Sequence, residues 1–264
     1  MPEKLDLQFV CIPGGEFLMG SSRSRDSKAD PDEMPQHPLD CTEFFIMRYP
    51  VTNREYNAYL QATKSRPPLF WPQGQYPAEK AEHPVVGVSF LDAVAFCRWA
   101  REVTGLPVRL PSEAEWEKTA RGTDGRRFPW GEVWEVGCCN SSEAKLGGTT
   151  PVNLFSPAGD SPYGVAEMGG NVQEWTSSLY GLYPYDPADG REVYVYDLES
   201  PSLFPRFHES GSTSIVHSLE ASLGKTCLRG GSWREDWLKS RCAYRGWAAP
   251  LHRSDDTGFR CCYE

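Results

Sequence analysis

Glycine and proline restrict this chain more than any other feature does. Its 264 residues hold 24 glycines and 22 prolines, spread so that few long helices fit between them. Three helix starts fit. Thr52-Asn53-Arg54-Glu55 is a capping box ahead of Tyr56, Tyr59 and Leu60. Ser89-Phe90-Leu91-Asp92 precedes an apolar stripe at Ala93, Phe96, Ala100 and Val103, with Gly105 placed as a C-cap. Ser112-Glu113-Ala114-Glu115 opens a third helix after Pro111. Beyond residue 122 no stretch carries a convincing helical period. Phe9–Ile12 and Glu16–Met19 read as short strands joined by a tight glycine turn, and Phe44–Met47 as another. Residues 21–38 are polar and charged and read as an exposed loop. The stretch 177–226, rich in Tyr, Pro and Ser, reads as an insertion containing one strand around Tyr194 and Tyr196. No repeat or linker divides the chain. The expectation is one α+β domain over residues 7–262 with little regular secondary structure.

The net charge is −9 and the pI about 5.2, a balance that argues against a nucleic-acid partner. No run of eighteen apolar residues occurs, so no transmembrane helix or membrane insertion is expected. Met1 to Asp6 lacks a signal-peptide pattern, and a soluble, cytoplasmic protein is expected. The nine cysteines include no CxxC pair, which argues against a zinc ribbon and for reduced structural thiols. His37, His83, His208, His217 and His252 show no metal-ligand spacing and read as surface or turn residues. Glu113, Glu115 and Glu117 read as helix-start charges that favour the dipole, not as catalytic acids. No Ser-His-Asp order, P-loop or GxGxxG is present.

An ordered series of motifs carries more information. "FVCIPGGEFLMGS" (9–21), "YPVTNREYNAYL" (49–60), "HPVVGVSFLDAVAFCRWA" (83–100), "GLPVRLPSEAEWEKTARG" (105–122), "FPWGE" (128–132), "YGVAEMGGNVQEWT" (163–176), "RGGSW" (229–233) and "GFRC" (258–261) follow in order. The series resembles the formylglycine-generating-enzyme (sulfatase-modifying factor) superfamily over nearly the whole chain. That resemblance implies a C-type-lectin-like fold. The family's copper chemistry resembles oxidation at two cysteines just after "RGGS", and soft thiolates suit Cu(I). The matching stretch Arg234–Arg241 holds no cysteine, so no copper is expected. The resemblance makes Cys242 and Cys261 structural and pairs Cys97 with Cys261 in secreted members, while the partner position of Cys242 is Thr119. The iron-dependent sulfoxide synthases of the superfamily draw a histidine-carboxylate triad largely from an N-terminal helical domain with no counterpart in these residues. The resemblance also implies a structural calcium site at Glu167, the carbonyls of Gly170 and Val172, and Glu174, with oxygen ligands that suit Ca²⁺. A weaker second site falls at Asn140, Ser141 and Leu146, where the loop is shorter.

Residues 229–262 resemble the variable region of diversity-generating-retroelement proteins, which use this fold as a display scaffold. The matching frame is Arg229, Gly230, Gly231, Ser232, Trp233, Ser240, Arg241, Ala243, Arg245, Pro250, Arg253, Gly258, Phe259 and Arg260. Between these sit Arg234, Glu235, Asp236, Lys239, Tyr244, Gly246, Trp247, Ala248, Ala249, Leu251, His252, Ser254, Asp255 and Asp256. They follow no helix or strand period and include the aromatic and Arg types that dominate binding surfaces. The resemblance implies a binding protein, not an enzyme, whose variable side chains contact a protein or other macromolecular ligand. The alternatives are an oxidoreductase with altered chemistry in the same pocket and a catalytically inactive scaffold.

Overall fold

The structure is a computed structural model and describes residues 7–192 and 224–264. All three helices begin on their capping boxes. In α1 (Asn53–Thr63) the Thr52 hydroxyl accepts from the Glu55 amide, and Glu55 accepts from the Thr52 amide at 2.7 Å. Ser89 and Asp92 do the same for α2 (Phe90–Thr104), and Ser112 and Glu115 for α3 (Glu113–Arg121). Gly105 ends α2 in the left-handed region at φ 72°, where a Cβ would be strained.

Among the described residues nine strands make three small sheets. β1 (Phe9–Ile12), β4 (Phe44–Met47) and β9 (Cys262–Tyr263) form one, in the order β1-β4-β9. β2 (Gly15–Met19) and β3 (His37–Cys41) form a second. The third has four strands in the order β7-β6-β5-β8: β7 (Gly246–Ala248), β6 (Thr226–Arg229), β5 (Gln173–Leu179) and β8 (Thr257–Phe259). The β5–β8 pairing is parallel, with Trp175 opposite Phe259.

Several expectations change. The strands on either side of Pro13–Gly15 do not pair with each other; β1 pairs with β4 and β2 with β3. Residues 21–38 are not simply an exposed loop. They contain the start of β3, and Ser21, Asp26, Ala29, Glu33 and His37 are buried. The Tyr194–Tyr196 strand lies outside the described residues. Of the expected insertion at 177–226, both flanks belong to the central sheet: Gln173–Leu179 enters it and Thr226–Arg229 returns to it.

The main core joins α1 and α2 to the four-stranded sheet. Tyr56 stacks on Phe96 at 5.8 Å and meets Phe259 edge-on, while Trp175 and Leu228 close the other side. Trp116 of α3 anchors a second cluster with Ile12, Phe44, Ile46 and Met168. The C-terminal segment 229–262 therefore crosses the molecule, supplying three strands and core residues to two clusters.

Candidate functional site

What holds this segment in place is a set of buried arginines. Arg229, on β6, is fully buried and donates to Glu117 of α3 at 2.5 Å and to the carbonyls of Cys242, Ala243 and Tyr244. Arg241 forks onto Glu33 at 2.6 and 2.7 Å and reaches Asp26 at 3.0 Å. Arg245 forks onto Glu113 at 2.6 and 2.9 Å. Arg260 forks onto Glu174 at 2.6 Å on each oxygen. Each carboxylate lies outside the segment, and bidentate geometry fixes the orientation of the Arg241, Arg245 and Arg260 pairs. Burial works against the Glu113 carboxylate, but Arg245 and Arg229 beside it hold its pKa below the ordinary range. Glu113 and Glu117 are thus more than helix-start charges; only Glu115 serves as the cap. His37 departs from the surface reading too. It is buried, and its Nε2 accepts from the Tyr185 amide at 2.8 Å.

The positions between the frame residues divide by exposure. Arg234, Asp236, Trp247, Ala249 and His252 are exposed, and Glu235, Lys239, Tyr244, Leu251, Ser254 and Asp255 partly so. Gly246, Ala248 and Asp256 are buried. Gly246 and Ala248 lie in β7, and a Cβ on Gly246 would come within 2.9 Å of the Gln173 amide oxygen. Asp256 accepts from Ser232, and its backbone carbonyl accepts from the Gln173 amide. Arg234 pairs with Asp255 at 2.5 Å and lies over the Trp233 ring. Lys239 sits over Tyr244 at 4.2 Å, and Lys225 over Trp247 at 3.6 Å. Burial, then the nearby Asp256, pushes the Glu235 carboxyl up to about 7. One contributor was missed in the sequence: Trp237 joins Phe128, Trp130 and Trp134 in a partly exposed aromatic cluster. Its position inside 234–241 was the available signal.

The metal candidates are arranged less favourably. Both oxygens of Glu174 are engaged by Arg260, and one also accepts from the Trp116 indole at 2.8 Å. Glu167 is buried at φ 61° with one carboxylate oxygen unpartnered, and burial pushes its pKa up to about 8. Gly170 and Val172 lie on the turn between them, and the Gly170 amide donates to the Gly230 carbonyl. These four residues do not fit a calcium ion as they stand. At the second position Asn140 and Ser141 are buried and Leu146 is exposed. The Asn140 amide nitrogen donates to Gly148 and Asn171, and its oxygen is unpartnered. Among the described residues no three His, Cys, Asp or Glu side chains group as a metal site, and no helix is long and apolar enough to cross a membrane. All nine cysteines are free; the Cys97 and Cys261 sulfurs lie 3.5 Å apart.

Short sheets, three capped helices and a long, irregular, arginine-pinned C-terminal segment define a C-type-lectin-like domain. The chain belongs to the sulfatase-modifying factor enzyme 1-like domain family, whose model matches residues 2–264. It is similar to the hercynine oxygenase of Mycolicibacterium smegmatis, 30% identical over 97% of this chain and 61% of that protein. It is also similar to the formylglycine-generating enzyme of Thermomonospora curvata, 29% identical over 98% of this chain and 94% of that one. Among solved structures, PvdO from Pseudomonas aeruginosa aligns with a TM-score of 0.74 and 29% identity over 97% of this chain and 94% of that one. Treponema denticola variable protein 1 shares the fold, with a TM-score of 0.69 and 18% identity over 97% of this chain and 95% of that one. These relatives overturn the expectation that the chain is not an enzyme. Proteins named as an oxygenase and a formylglycine-generating enzyme match it at about 30% identity over most of its length.

Proposed function

We propose that this protein recognises a macromolecular ligand through the surface presented by residues 229–262, and that a retroelement diversifies the exposed positions there. The supporting observation is the division of labour within the segment. Four buried arginines, each on a carboxylate from elsewhere in the fold, set its path. Side chains such as Arg234, Asp236, Trp247, Ala249 and His252 point outward from it. A rigid frame with exchangeable side chains is the arrangement that paratopes use. Two measurements test the reading. A library randomised at those five positions keeps the parental melting temperature in most clones, whereas one randomised at Arg229, Arg241, Arg245 and Arg260 yields little folded protein. The gene is expected to lie beside a reverse-transcriptase gene and a near-copy of its own 3′ end; a neighbourhood lacking both rejects the retroelement.

The named relatives favour a second reading, an oxidative enzyme of this family. Here the exposed segment would contact the substrate. Oxygen consumption with a cysteine-containing peptide or a small thiol, after loading with copper or iron, supports that reading if it turns over and removes it if it does not.

A further inference from the structure

We infer that the guanidinium of Arg260 takes the place of a metal cation at the 163–176 turn, so that this turn holds its shape with no calcium bound. Arg260 is fully buried, and its donors meet six oxygens. Two belong to Glu174, both at 2.6 Å. The other four are the carbonyls of Met47, Arg48, Ala166 and Glu167, at 3.0–3.3 Å. Six oxygens around one buried positive charge is what a hard cation gathers. Here the charge is covalently attached to β8's C-terminal end and ties β4, the turn and β5 together. The Trp116 indole completes the shell of Glu174. A divalent ion bound to Glu174 would share that carboxylate with the buried Arg260 guanidinium and sit beside a like charge, which is unfavourable. Glu167 is the one side chain of the candidate set that Arg260 leaves open, so it is the place to test.

The protein is dialysed against millimolar CaCl₂, its bound calcium is measured by emission spectrometry, and it is melted in CaCl₂ and in excess EGTA. The expected result is no stoichiometric calcium and two superimposable melts. Calcium bound at one equivalent, with a higher melting temperature that Glu167→Ala abolishes, overturns the inference. Calcium that binds equally well to Glu167→Ala sits elsewhere and supports it. Should that variant not fold, crystals of the parent grown in CaCl₂ decide: an anomalous peak bonded to Glu167 or Glu174 overturns the inference, and a clean turn upholds it.

Discussion

At the scale of single residues, the arginine–carboxylate pairs govern what substitutions do. Arg241→Met leaves Glu33 buried without its counter-charge, while Asp26 keeps Arg127 at 3.9 Å, and the expected loss is about 3–5 kcal/mol by urea denaturation. Glu33→Gln in the same chain is expected to recover part of it, because the charge that lost its partner is gone. Glu192 gives a pH signature. Burial first, then Glu115 and Glu113, raises its carboxyl to about 7, against hydrogen bonds from Ser178 and Ser177. Between pH 4.5, the ordinary value, and 7, the folded chain keeps a proton that the unfolded chain has lost. Stability therefore falls as pH rises through that window and levels above it. Glu192→Gln is expected to remove roughly 2–3 kcal/mol of that slope, read from denaturation midpoints across pH. None of these pairings was legible in the sequence. Glu113 and Glu117 look like helix-start charges because their partners, Arg245 and Arg229, lie more than a hundred residues away, and no local period reports such a distance.

Single elements were legible where their signals are local. The three capping boxes place the helices correctly because cap chemistry lies within four residues. Ser89→Ala is expected to cost about 1 kcal/mol through the lost N-cap of α2, measurable as a fall in thermal midpoint. The strands divide along the same line. β1, β2 and β4 carry apolar runs and stand out. β3, with Pro38 and Asp40, and β7, Gly-Trp-Ala, carry none, and they are strands because β2 and β6 give them partners. β7 also explains why a stretch without a strand period still buries two of its candidate positions. Trp247 alone among its three residues faces out, so Trp247→Ala is expected to leave the melting temperature nearly unchanged while altering the contact surface.

For the whole molecule, the motif series made family and fold legible, since it spans the chain from end to end. Of the fourteen positions between the frame residues, five are exposed, six partly so and three buried; which fall in each group was not legible, because burial depends on the parallel β5–β8 pairing and on the turn that Gly231 allows at φ 66°. The two sulfurs of Cys97 and Cys261 join α2 to the end of the chain across 164 residues. Oxidising them to a disulfide closes that loop and is expected to add about 4–5 kcal/mol, seen as a higher thermal midpoint that a reductant reverses.

Glu33, Glu113, Glu117 and Glu174 all precede Arg229, Arg241, Arg245 and Arg260 in the order of synthesis. Glu117 already has Arg121 beside it in the nascent chain, but Glu33 and Glu113 wait for Arg241 and Arg245, and Glu174 waits until synthesis passes Arg260. Ribosome-bound chains stopped before residue 229 should therefore remain open to protease, and resistance should arise only when residues 229–260 have emerged. Folding of this domain waits on its most distant partners, and a product broken off before them exposes itself to degradation before it can bind anything.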